Sequence, residues 1–129
     1  MSDVHTFSAG DFIICKPAEE LREPSNKDFE VYARVIKVDR SCNAMEIVSF
    51  LKQGQLLQGR RGLPLDQCEE HYYQPMDKQD LESFIRGLFG LLTSVNYLRL
   101  MESQRALVRS VFGAAVKAWM RLAEEEEMR

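Results

Sequence analysis

The sequence predicts an α+β protein, a small bent β-barrel over residues 1–76 followed by a C-terminal α-helical hairpin over residues 77–129 that ends in an acidic tail. Three observations predict it. All four prolines (Pro17, Pro24, Pro64 and Pro75) fall before residue 77. Apolar residues before that point come in short runs rich in β-branched and aromatic types, the composition of strands. Beyond it they recur at i, i+3, i+4 and i+7, the period of a helix with one apolar face.

The elements follow in order. Phe12–Cys15 reads as a short strand after the turn residues Ala9, Gly10 and Asp11, and Pro17–Asp28 reads as a loop. From Phe29 to Val38, Val31, Ala33 and Val35 alternate with Tyr32, Arg34 and Ile36, which is the period of a strand. Asp39–Asn43 is turn chemistry, because Asp, Ser and Asn side chains bond their own backbone. Ala44–Phe50 returns and closes a hairpin. Gly54, Gly59 and Gly62 punctuate two further short strands, near Gln55–Gln58 and Leu63–Leu65, and Glu69–Gln74 completes the module. Asp77 is placed to cap a helix with Asp80 three residues on. One apolar stripe then runs through Leu81, Phe84, Ile85, Leu88, Leu91, Leu92, Val95 and Leu98. A second runs through Leu107, Val108, Val111, Phe112, Ala115, Trp119 and Leu122. A single helix over 77–126 would reach ~75 Å. A break near residues 102–104 instead gives two helices of similar length that pack antiparallel.

The run AGDFIICK, followed by VYARVIKVDRSCNAMEIVSF, resembles the opening of a Tudor-like small β-barrel. The likeness covers about half the chain and bears on fold. It also implies a possible use for the aromatic residues. In Tudor-like barrels several rings can gather into a cage for a methylated lysine or arginine, and Tyr32, Phe50 and Tyr72 are the candidates. The Asp-Tyr-Gly-like ending of methyl-lysine readers does not follow Phe50.

Composition narrows the function classes. The chain has 129 residues, 45% apolar and 29% charged, which is globular and argues against disorder. Seventeen cations against twenty carboxylates give a net charge of −3, unlike a basic nucleic-acid coat. No signal-peptide pattern opens the sequence, and no run approaches the ~20 apolar residues of a membrane span. The expectation is a cytoplasmic protein with no membrane partner.

Chemistry-bearing motifs are sparse. Cys68 and His71 have C-x₂-H spacing, and Cys15 with Cys42 would complete a zinc tetrahedron, but a second paired knuckle is missing. Cys68 beside His71 would also be the nucleophile of an enzyme reading. No Walker loop, G-x-G-x-x-G, H-E-x-x-H or G-x-S-x-G is present. The expectation is no enzyme, no metal and no cofactor.

Features that suit a protein partner are more numerous. Gly59-Arg60-Arg61-Gly62 presents two guanidiniums on an expected loop tip. Arg105, Arg109, Lys117 and Arg121 form a basic ridge. Up to residue 123 the helical part is net basic, and Glu124–Glu127 cancels the excess. Gly87, Leu88, Phe89 and Leu91, with Phe112 and Trp119 opposite, are the expected assembly interface. The reading is a non-catalytic adaptor or regulatory subunit that binds another protein, as a homodimer or hetero-complex through its helices, with Arg60, Arg61 and the aromatic candidates for recognition. A nucleic-acid or transcription-associated regulator is the alternative, served by the basic ridge.

Overall fold

A computed structural model describes residues 6–15, 31–51 and 55–128. The loop expected over Pro17–Asp28 and the strand start at Phe29 lie outside the described residues. The chain divides into two compact units, Met1–Lys52 with Leu56–Pro75, and Gln53–Gln55 with Met76–Arg129. The α+β order expected from the sequence is observed.

The first unit is an antiparallel five-stranded sheet. Its strands are β1 (Phe12–Cys15), β2 (Val31–Asp39), β3 (Ala44–Leu51), β4 (Leu56–Pro64) and β5 (Gln74–Pro75). They lie in the order β4-β3-β2-β1-β5, so the sheet is open, with β4 and β5 as its edges. A short helix α1 (Leu65–Gln67) runs into a π-helical turn (Cys68–Tyr72) between β4 and β5. The two strands expected around Gln55–Gln58 and Leu63–Leu65 are a single strand. β4 continues through Gly62, which pairs with Glu46, whereas Gly59 falls in an irregularity of the register between the Val48–Arg60 and Phe50–Leu56 pairs. Glycine in a strand interior weakens it, and here neighbouring ladder bonds outweigh that cost.

The alternation in β2 and β3 sends Ala33, Val35, Met45 and Ile47 to one face. There they pack with Phe7, Ile13, Leu65 and Cys68 into one core. The opposite side chains Ile14, Tyr32, Val48 and Phe50 are fully buried as well. The β2–β3 turn forms as its residue types dictate. Asp39 Oδ1 accepts from the Ser41 backbone N–H (3.1 Å) and the Ser41 hydroxyl (2.6 Å), and Asn43 takes φ 50°. Asn43 Oδ1 accepts from the Asp66 N–H at 2.9 Å, tying the turn to α1.

One buried carboxylate fastens three segments of this unit. Glu69, on the π-helical turn, accepts from the Phe7 N–H at 2.7 Å. Its two oxygens also take the Arg40 guanidinium at 3.1 and 3.0 Å. Arg40 donates in turn to the Phe7 carbonyl at 3.0 Å. Such charge-assisted, bidentate bonds are the stronger kind.

The second unit is helical, with α2 (Lys78–Leu92), α3 (Val95–Leu98) and α4 (Glu102–Glu127). Asp77 and Asp80 form the expected reciprocal cap. The Asp80 N–H donates to Asp77 Oδ1 at 2.7 Å, and the Asp77 N–H donates to Asp80 Oδ2 at 3.1 Å. α2 packs along α4, and Leu81, Phe84, Leu88 and Leu91 are buried, as are Val108, Val111 and Ala115. Antiparallel pairing is fixed at the open end by Lys78 on Glu126 (2.8 Å) and by the Trp119 indole N–H on Glu82 (3.0 Å). Lys78 also stands 5.4 Å from the Trp119 ring centroid.

The hairpin is shaped differently from the expectation. Its break spans residues 93–101 rather than 102–104, and the helices are unequal, 15 and 26 residues. Local side-chain bonds explain the position. Thr93 Oγ1 bonds the Phe89 carbonyl (2.9 Å) and Ser94 Oγ the Leu91 carbonyl (2.8 Å), which competes with helix continuation. Gln104 then starts α4 by accepting from the Met101 N–H at 3.0 Å. Val95 and Leu98, expected to prolong the α2 stripe, sit on α3 and are exposed instead. Among the described residues, no helix is long and apolar enough to cross a membrane.

The Glu69 network gives the fold a pH dependence. The Arg40 hydrogen bonds, aided by the Phe7 N–H, hold the Glu69 carboxyl below its ordinary value, while burial opposes them. A lowered folded-state value stabilises at pH above the ordinary glutamate range, and that stabilisation is lost as pH falls through the lowered value. Glu69→Gln is expected to lower stability at pH 7 by about 2 kcal/mol. In urea titrations the gap between variant and wild type should narrow toward pH 3. A gap that is constant with pH contradicts this role.

Candidate functional site

A cleft on the sheet unit lies over β2, β3 and β4. Its volume is about 300 Å³, and Lys37, Asp39, Met45, Glu46, Arg61 and Gly62 line it. The strand registers explain why these residues meet. Lys37 is opposite Glu46, and Glu46 is opposite Gly62, while Ile47 is opposite Arg61. A bulge between Val35 and Lys37 shifts the register of β2 at this point, which re-aims the side chains that follow. Gly62 leaves room, since a Cβ there would meet nothing within 4 Å. The cleft thus has one cation, Lys37, and two carboxylates, Asp39 and Glu46, on one face of the sheet, while Met45 and Arg61 border it from strand positions that share the opposite face with Ile47. That lining suits a charged polar chain better than an apolar small molecule.

Arg61 is a residue singled out in the sequence, and its setting differs from the expected loop tip. It lies within β4, where strand pairing fixes its backbone. The side chains of Arg60 and His71 lie outside the described residues. The candidate aromatic cage is not assembled. Tyr32 and Phe50 face each other across β2 and β3 and are sealed from solvent, at 1% and 0% exposure. Only Tyr72 is open, at 53%, on the π-helical turn. Sequence alternation placed Tyr32 on a strand face, but both faces of this sheet are buried, so face alone did not reveal exposure.

The three cysteines occupy different settings. Cys42 is exposed at the β2–β3 turn, Cys15 is half-buried at the end of β1, and Cys68 is fully buried. The β1–β5 register pairs Ile13 with Pro75 and Ile14 with Gln74, which brings Tyr73 next to Cys15. The Tyr73 N–H donates to the Cys68 carbonyl at 3.0 Å. Burial pushes the Cys68 thiol up to about 11, and the neighbouring Cys15 adds to the shift. Burial likewise pushes the Tyr73 hydroxyl up to about 12. A thiol held in that range stays protonated at neutral pH and is a poor nucleophile. Among the described residues, no three His, Cys, Asp or Glu side chains are grouped to hold a metal.

On the helical unit, the expected assembly residues separate. Leu88 and Leu91 are buried, and Gly87, Phe112 and Trp119 are half-buried. Phe89 is 58% exposed. Val95, Leu98 (68%) and Met101, in the connection to α4, are exposed as well. The helical period carries Val95 and Leu98 onto the buried stripe, but Thr93 and Ser94 end α2 before them.

The basic ridge is partly neutralised within the chain. Glu102 takes Arg105 at 2.7 Å and Arg109 at 3.4 Å, and Arg109 also donates to the Tyr97 hydroxyl at 2.6 Å. Lys117 and Arg121 are exposed farther along α4. Comparison of the chain with protein-family models, curated proteins and solved structures gives no match.

Cysteine reactivity should sort by setting. Iodoacetamide at pH 7 is expected to alkylate Cys42 within minutes and to reach Cys68 only on unfolding, as read by peptide mass spectrometry. Rapid labelling of Cys68 in the folded chain contradicts the shift caused by its burial.

Proposed function

We propose that this protein is a non-catalytic adaptor or regulatory subunit that binds another protein, with the helical unit for assembly and the sheet unit for recognition. The observation that carries this reading is the exposure of four large apolar side chains, Phe89 in the last turn of α2 and Val95, Leu98 and Met101 in the connection to α4. Single exposed apolar residues are ordinary, whereas a group of them marks an interaction surface. Burying each such side chain is worth ~1.5–3 kcal/mol, so covering the set adds several kcal/mol to association. The cleft beside Lys37, Asp39 and Glu46 supplies charge for recognising a partner's polar chain, in keeping with the role of charge in specificity.

The alternatives draw less support. The enzyme reading relies on Cys68, whose thiol is buried and held up at about 11. The nucleic-acid reading relies on the ridge, where Arg105 and Arg109 already share Glu102.

The test uses the full chain, tagged and crosslinked in the cells that express it. Wild type is expected in a complex of fixed stoichiometry. Phe89→Asp with Leu98→Asp should weaken the reconstituted complex at least ~10-fold, one decade for each 1.4 kcal/mol of lost burial. Circular dichroism should be unchanged, since both side chains are on the surface. A wild-type chain that is always recovered alone, or a complex indifferent to both changes, refutes the proposal.

A further inference from the structure

α4 carries two stripes, and the hairpin uses one. Val108, Val111 and Ala115 are buried. A second stripe follows the spacing 4, 3, 4, 3, 4 through Arg109, Gly113, Val116, Met120, Ala123 and Glu127. That is the seam of a coiled-coil contact. The stripe is open at four of its six positions. Arg109, Gly113, Met120 and Glu127 are exposed, Val116 and Ala123 are half-buried, and a Cβ built on Gly113 meets nothing within 4 Å. Met120 alone is 51% exposed.

The order of residues along this stripe is self-complementary. It begins with a cation, Arg109, whose guanidinium also donates to the Tyr97 hydroxyl and to Glu102 of its own chain, and it ends with a carboxylate. Laid antiparallel on a second copy about a two-fold axis at residue 118, Arg109 faces Glu127, Gly113 faces Ala123, and Val116 faces Met120. All three pairings share one register. The small residues at 113 and 123 let the two helices approach, and Val116 and Met120 fill the centre. A two-fold contact needs such a match of a surface with itself, because each pair occurs twice. A parallel arrangement would instead oppose Arg109 to Arg109 and Glu127 to Glu127.

We infer that the occupant of this stripe is a second copy of the chain, docked antiparallel through α4 with Arg109 of each protomer on Glu127 of the other. This deepens the adaptor reading and rests on it, by naming the assembly partner of the helical unit. The charge pairs fix the orientation and the apolar centre supplies the affinity.

The test is sedimentation of the purified full chain, alone, across concentration. Wild type should dimerise and Met120→Asp should be monomeric with unchanged helix content. Arg109→Glu and Glu127→Arg should each weaken the dimer roughly 10-fold, as like charges meet twice per dimer. The chain carrying both changes should return to within ~3-fold of wild type, because the pair is only reversed. Disulfide trapping in a Cys42→Ser background checks the register. Gly113→Cys mixed with Ala123→Cys should crosslink, whereas Gly113→Cys alone should not, its two copies lying ~15 Å apart along the axis. A monomer at every concentration, no recovery in the double variant, or crosslinking of Gly113→Cys with itself overturns the inference. A monomer that still enters a Phe89-dependent complex in cells overturns it while leaving the adaptor reading standing.

Discussion

Two helices packed as a hairpin can bury one stripe of each, and no more. That constraint governs the second unit of this protein. α2 gives up Leu81, Phe84, Leu88 and Leu91 to burial, and α4 gives up Val108, Val111 and Ala115. The unequal lengths sharpen the constraint, because α4 has 26 residues and α2 only 15. Whatever apolar surface lies off the seam must meet water or a partner. Phe89, Val95, Leu98, Met101 and Met120 are that remainder. Exposed apolar area of this kind costs nothing in fold stability directly, but it lowers the free energy of any association that covers it.

The sheet unit is organised by a different interaction. Glu69 is a buried acid whose oxygens are all engaged, with Arg40 and with the Phe7 backbone. It joins the N-terminal segment, the β2–β3 turn and the π-helical turn, three pieces distant in sequence. The cleft over β2, β3 and β4 lies in the same unit, beside the Val35–Lys37 bulge. The cleft's charges stand on paired strands, so its geometry is set by the ladder rather than by a loop.

Much of the architecture was legible in local residue types. The alternation of Val31, Ala33 and Val35, the Asp39–Asn43 turn and the Asp77–Asp80 cap each act within a few residues, and each reads directly from the chain. What was not legible depends on pairing between distant segments. The glycines at 59 and 62 signal punctuation, yet β4 runs through both, with Gly62 paired to β3 and Gly59 in a register irregularity. The burial of Tyr32 and Phe50 follows from a sheet covered on both faces, whereas alternation alone predicts one wet face. The end of α2 turned on two hydroxyls, Thr93 and Ser94, whose bonds back to the helix carry no strong sequence signature. Val95 and Leu98 therefore stand on the surface rather than in the expected core. Glu69 gave no signal either, since a glutamate in an acidic stretch reads as solvated until its arginine is found 29 residues away.

The account turns on whether the apolar surface off the hairpin seam is covered by association. Hydroxyl-radical footprinting measures this at the side chains concerned. Dilute chain should be oxidised rapidly at Phe89, Met101 and Met120. Those sites should become protected as the chain enters its complex, while the oxidation of exposed Met128 stays unchanged. Equal oxidation of Phe89, Met101 and Met120 in the free and assembled states would contradict the account.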